Sequence, residues 1–205
     1  DGIAKIINKK IMDKMDCRVP QDLHIHTTFS HLDSAVAKAQ TPGFVARINH
    51  AKVTGISDHF EHFYERFDEY YTTLKQYGFY VGTEVDGSEY TREAARLDFE
   101  YYIYHCRNYA SEYRAIESLL ATGKPVIIAH PLVFDVDWKQ IPPECYIEIN
   151  NRYVWQNDWR KRLVPFTERF RFVIGSDAHK PNWLNHNVAR YVARELDVEE
   201  SLLFE

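Results

Sequence analysis

An α/β fold, closed or nearly closed into a barrel of parallel strands, is predicted by three observations. Seven short apolar segments suited to buried parallel strands alternate with longer stretches of helical pattern. Nearly every one of those segments runs into a polar side chain that can ligate a metal. The carboxyl ends of strands in a parallel barrel ring a single mouth, whereas an open doubly wound sheet would spread them along a line.

The elements follow in chain order. The first strand, Asp22 to Ile25, lies in Asp22-Leu23-His24-Ile25-His26, and alternation along an extended chain turns His24 and His26 to one face, about 7 Å apart. A helix is expected over Val36 to Ala51, then a strand from Val53 to Ser57 that runs into Asp58 and His59. Phe60 to Tyr77 reads as a helix stopped at Gly78, and Phe79 to Glu84 as the third strand. The fourth strand, Phe99 to Tyr104, delivers His105. Tyr109 to Thr122 forms a helix ending at Gly123, and the fifth strand, Val126 to Ala129, delivers His130. Tyr146 to Ile149 carries Glu148 and leads to Asn150. Trp155 to Phe170 is helical, Phe172 to Gly175 is the seventh strand, and Asn187 to Glu195 is the closing helix. Past the seventh strand, Asp177 and His179 repeat the two-residue spacing of His24 and His26.

Imidazoles mixed with carboxylates, and no cysteine in the series, suit zinc, manganese or iron better than an all-oxygen calcium site. More than four donors are present and a carboxylate can bridge two cations, so a cluster of two or three divalent ions is expected, with Glu84 as the bridge. His50, His62 and His186 fall on helical or loop segments and read as surface or packing residues. The 14 Tyr and 4 Trp read as core and rim packing.

A chain of 205 residues with 45% apolar side chains is long enough for one well-buried domain. Residues 1–20 are expected as a helical extension and 21–205 as the barrel. In the extension Ile3, Ile6, Ile7, Ile11 and Met15 share a helical stripe, interrupted too often by charge for a signal peptide, and a helix closing one end of the domain is the expected use. A net charge of −5 without a Lys/Arg run gives no case for an extended nucleic-acid surface. No apolar run approaches the roughly 18 to 20 residues that span a bilayer. Cys17, Cys106 and Cys145 form neither a CxxC pair nor a disulfide framework, and a reducing, cytoplasmic setting is expected.

Six ordered motifs carry a family resemblance over most of the chain. Asp22-Leu-His-Ile-His-Thr-Thr-Phe-Ser30, Ile56-Ser-Asp-His59, Gly82-Thr-Glu84, Tyr104-His105, Ile128-Ala-His-Pro131 and Gly175-Ser-Asp-Ala-His179 resemble those of the polymerase and histidinol phosphatase (PHP) family. Ile147-Glu-Ile-Asn-Asn151 resembles a strand of its stand-alone, histidinol-phosphatase-like branch. The resemblance implies a distorted seven-stranded (β/α)7 TIM-like barrel with a metal cluster at the carboxyl ends of its strands. By the same resemblance His24, His26, Glu84 and Asp177 would hold a first metal, and Glu84, His105 and His130 a second. His59 and His179 would hold a third together with Asp33 or, if the loop is shifted, His31.

The implied activity is hydrolysis of a phosphate ester, with a hydroxide bridging the first two metals attacking phosphorus, and with Glu84, Asp177 and His179 at the catalytic centre. Arg152 and Lys180 are candidates to contact the phosphate. A small phosphomonoester is favoured over nucleic acid because the chain is mildly acidic. Two alternatives stay open: a metal-dependent nuclease acting on phosphodiesters, and a non-catalytic metal-binding module.

Overall fold

The structure, a computed structural model, describes residues 16–205. The amphipathic stripe from Ile3 to Met15 lies outside the described residues. Seven parallel strands, β1 (Val19–Asp22), β2 (Ala51–Ile56), β3 (Tyr80–Asp86), β4 (Tyr101–His105), β5 (Val126–Ile128), β6 (Tyr146–Asn150) and β7 (Arg171–Gly175), pair in chain order as a nearly closed barrel. β1 begins before Pro20, inside the stretch expected as an extension, and ends at Asp22, so His24 and His26 follow the strand rather than lie on it.

The seam between β1 and β7 closes differently at its two ends. At the carboxyl end Ile25 bridges Ala178, and the His26 amide donates to the Ala178 carbonyl at 3.0 Å. At the amino end the segment after the last helix fills the gap. Ser201 donates its amide to the Phe172 carbonyl at 2.7 Å, and the buried Gln21 amide group donates to Ser201 O at 2.6 Å while accepting from Leu203 N at 2.9 Å. The Gln21 side-chain amide and the Ser201 backbone thus replace the ladder bonds that two edge strands lack.

Among the described residues six α-helices flank the strands: α1 (Pro42–Ile48), α2 (Phe67–Gln76), α3 (Thr91–Ala94), α4 (Ala110–Leu120), α5 (Trp159–Leu163) and α6 (Asn187–Glu195). Helical expectations fail where the chain carries its own stop signals. The helix expected from Val36 starts only at Pro42, because proline holds Thr41 extended and the Thr41 hydroxyl caps Phe44 N. The stretch from Phe60 breaks at Phe63 into two 3-10 turns before α2, and that from Trp155 breaks at extended Asn157 and again near Pro165. β5 passes to β6 without an intervening helix among the described residues.

Alternation along β4 divides the core into two layers. Tyr101 and Ile103 point into the lumen with Leu23, Ile127, Ala129 and Val173, while Tyr102 and Tyr104 face the helices with Ile116 and Leu119 of α4. Tyr101 lies across the barrel, its hydroxyl donating to Leu23 O at 2.8 Å, and its ring takes the space that a Cβ on Gly82 would occupy. Phe204, stacked on Tyr80 at 4.0 Å between ring centroids, seals the lumen from below. Among the described residues, the buried side chains of His24, His26, Glu84, His130, Glu148, Asp177 and His179 gather at the mouth formed by the carboxyl ends. No helix among the described residues is long and apolar enough to cross a membrane.

Outside the lumen Asp22 ties the seam together. Its Oδ1 accepts from Ser176 N at 3.1 Å, and its Oδ2 lies 2.8 Å from His50 Nε2 and 3.2 Å from His186 Nε2. Both histidines, expected as surface or packing residues, serve this buried carboxylate. Burial opposes the charge on Asp22, but His186 and His50 hold its carboxyl well below the usual range. A depressed carboxyl contributes stability above its unfolded pKa, and that stability is lost as pH falls through and below it.

Gly82→Ala forces the Tyr101 ring from the lumen and is expected to cost about 1–3 kcal/mol in urea unfolding; an unchanged midpoint would mean that the ring moves freely. The parent is expected to lose stability from about pH 5 downward, and Asp22→Asn to flatten part of that acid limb. Parallel pH profiles for the two proteins would remove Asp22 from the account.

Candidate metal centre

Glu84 stands at the middle of the mouth because β3 is central to the strands that supply donors, and an isolated parallel bridge sets it opposite His59. Its Oε2 lies 3.2 Å from His26 Nε2, 3.3 Å from His59 Nδ1 and 3.6 Å from His24 Nε2. Its Oε1 lies 3.3 Å from His130 Nε2. Asp177 Oδ1 approaches His26 and His24 at 3.7 and 3.8 Å, and His179 Nε2 lies 2.9 Å from Asp33 Oδ2. Donors about 2.0–2.1 Å from a shared cation at tetrahedral angles are roughly 3.3 Å from one another, so these separations fit the edges of a coordination shell.

Four overlapping groups have donor atoms all within 4.8 Å: His24, His26 and Glu84; His24, His130 and Asp177; Glu84, His105 and His130; and His26, His59 and His179. The donor chemistry suits a divalent cation of the zinc, manganese or iron type, and Glu84 Oε1, His59 Nδ1 and His105 Nε2 are buried without a hydrogen-bond partner. Eight of the nine residues expected as ligands enter these groups, and the ninth, Asp33, stands beside them. Its Oδ2 is 3.5 Å from His59 Nε2 as well as close to His179. His31 is exposed, with Nδ1 3.2 Å from Phe29 O, and stands in none of the groups.

A second layer of carboxylates orients the imidazoles. Glu148 Oε1 accepts from His24 Nδ1 at 2.7 Å, which turns the His24 Nε2 lone pair to the mouth. Glu148 Oε2 accepts from His130 N at 2.7 Å and Asn150 Nδ2 at 2.9 Å, and the missing Cβ of Gly175 gives this carboxylate its room. Asp86 pairs in register with His105 across β3 and β4, and its Oδ1 lies 3.3 Å from His105 Nδ1. Sequence patterns alone assign Asp86 no role, and Glu148 none beyond its strand end. A signal is nevertheless present, because Asp86 and Asn150 each stand two residues past a strand carboxylate and so share its face. Asp58 is no part of the donor set. Its carboxylate accepts from the backbone amides and hydroxyls of Thr27 and Ser30 at 2.6–3.1 Å and pins the loop after His26.

Charge in the mouth is strongly coupled. Burial opposes ionisation of Glu84, but His24, His130 and His26 hold it well below the usual carboxylate range. Burial likewise opposes charge on His24, yet Glu148, Asp177 and Glu84 raise it well above the imidazole range. Burial prevails at His105, pushed down to about 3 with help from His130 and Arg107. At His59 burial is outweighed by Asp33 and Glu84, and the imidazole is raised to about 9. Asp177 and His130 also adopt left-handed backbone, with φ of 52° and 26°, a conformation concentrated at functional sites.

The two residues expected at the phosphate part company. Arg152 is partly buried, lines the cavity of about 220 Å³ over the donors, and places Nη1 3.7 Å from Asp177 Oδ1. Lys180 is exposed, its Nζ 5.0 Å from the Trp183 ring centroid, and does not line that cavity. Tyr153, unmarked in the sequence, lines it opposite His130, the ring centroids 5.4 Å apart.

Glu148→Gln keeps the shape but weakens the bond that orients His24, and metal affinity measured by chelator competition is expected to fall about 10- to 100-fold. Unchanged affinity would leave Glu148 a packing group. No family model matches the chain and no curated protein matches it, so the assignment of this centre rests on its own donors and their spacing.

Proposed function

We propose that this chain is a metal-dependent phosphoesterase of the PHP type that hydrolyses small phosphomonoesters. The observation that carries the reading is Glu84, buried with one oxygen facing His24, His26 and His59 and the other facing His130. A carboxylate so placed belongs to two donor sets at once, and this supports the reading because a hydrolytic centre with two ions would need a carboxylate shared between them.

His24, His26, Glu84 and Asp177 would hold one divalent ion, Glu84, His105 and His130 a second, and His59, His179 and Asp33 a third. When bound, such ions supply Lewis acidity toward a phosphoryl oxygen and lower the pKa of water. The chain's own residues do the positioning. Glu148 accepts from His24 Nδ1 and fixes which nitrogen of that imidazole faces the mouth, while Asp86 stands 3.3 Å from His105 Nδ1. Arg152, its guanidinium 4.8 Å from the ring centroids of both Tyr153 and Trp183, would donate N–H bonds to the phosphate from the rim. Burial of Glu84, His130, Asp177 and His179 lowers the local dielectric around the donors, and this strengthens each electrostatic contact with the developing charge. A cavity of about 220 Å³ has room for a phosphoryl group and the first atoms of its ester, and a nucleic-acid backbone finds no basic track leading to it among its lining residues.

The direct test is hydrolysis of an aryl phosphomonoester by metal-stripped protein reconstituted separately with manganese, zinc or iron. Turnover should depend on the metal and fall at least about 100-fold in Asp177→Asn, with far-UV dichroism unchanged. Full activity in that variant with normal metal content would overturn the reading. Absence of turnover in protein loaded with two or three ions would return weight to a binding module.

A further inference from the structure

A second cavity, of about 350 Å³, opens beside the donor cavity and shares Arg152 with it. Its walls are Trp155, Trp183, Gln156, Asn185 and the β6 and β7 loop residues Asn151 and Ser176. None of these is a carboxylate, so the wall differs sharply from the donor cavity next to it. Trp155 is 63% exposed, an uncommon state for a large aromatic residue, and its indole N–H donates to Arg152 O at 2.9 Å. That bond holds the ring as a fixed plate whose face is open. The neighbouring amides are partly free: Asn151 spends its oxygen on Val188 N and Ala189 N at the start of α6, Gln156 Nε2 donates to Arg152 O, and Asn185 Oδ1 accepts from Asn151 Nδ2 and Asn187 N, which leaves Gln156 Oε1 and Asn185 Nδ2 for a ligand.

Resting on the phosphoesterase reading above, we infer that this cavity receives the alcohol part of the substrate, and that this part carries a flat heteroaromatic ring which stacks on Trp155 and bonds the Gln156 and Asn185 amides. The sizes divide the work. The donor cavity accommodates little beyond the phosphoryl group, and the adjoining volume falls in the range of small-molecule pockets. Arg152 stands on the border, where a phosphate held at the centre would leave its ester oxygen pointing across it. An aliphatic chain would bury less flat area on the indole plate and would leave the amides unanswered, whereas a heteroaromatic ring meets both.

The test compares adenosine 5′-monophosphate with ribose 5-phosphate, two esters of the same primary alcohol position of ribose that differ mainly in the adenine ring. The metal-loaded parent should show a kcat/KM about tenfold or more in favour of the nucleotide, expressed mostly in KM. Trp155→Ala should remove most of that preference, and Trp155→Phe should restore part of it. Equal kcat/KM values for the two esters, or a preference untouched by Trp155→Ala, would overturn the inference while leaving the phosphoesterase intact. If neither ester is hydrolysed, the function fails separately, and quenching of indole fluorescence by the nucleotide decides the cavity. Saturable quenching lost in Trp155→Ala supports the ring site, and its absence in the parent overturns it.

Discussion

The carboxylate of Glu84 is the constraint around which the carboxyl face of the barrel is organised. A buried carboxylate is costly unless it is met by opposite charge or by donors. Here the compensation comes from imidazoles of separate chain segments, with His24, His26, His59 and His130 all within 3.6 Å of its oxygens. Each imidazole is itself largely buried and needs a partner on its outer nitrogen. The need passes outward to Glu148 and to backbone carbonyls such as Asp177 O, which lies 2.9 Å from His179 Nδ1. A network of this kind is favourable only when nearly every member is satisfied, and the unpartnered inward atoms of Glu84, His59 and His105 are where a cation would complete it.

The apolar part of the barrel supports that network by closing the lumen beneath it. Tyr101 fills the lumen, Phe204 covers the lower end, and the paired amides of Gln21 and the segment around Ser201 join the edges of β1 and β7. A packed lumen transmits position: His24 is set by Leu23 below it and by Glu148 beside it, with Gly175 leaving the space that Glu148 requires. The lumen, the seam and the mouth are consequently parts of one packing problem. Asp22 joins them, because its carboxylate meets the Ser176 amide across the seam, two residues before the first ligand-bearing position.

Much of this architecture is legible in the order of the residues. Seven strands lie within a few residues of their expected positions, because buried parallel strands are short apolar runs that need no partner information to be noticed. Strand ends also mark the donors, since a polar residue directly after such a run must face a mouth or solvent. Helices are less legible. Their patterns run through Thr41-Pro42, Phe63 and Asn157, where a local cap, a turn or an extended residue ends the helix regardless of the apolar spacing around it. Asp86 is hidden because its partner, His105, belongs to the next strand and meets it only through the β3–β4 register.

The sequence by itself determined the fold class, the order of the strands and the set of side chains able to gather at one end, because periodicity and strand-end chemistry are local properties. Tertiary structure alone decided which of Asp33 and His31 stands beside His59 and His179, which basic residue reaches the cavity, and how His50 and His186 are used. Those choices depend on the closure of β1 against β7 and on the path of loops over the mouth. Distances of a few ångströms between segments far apart in the chain are set by packing, and no spacing within a single segment encodes them.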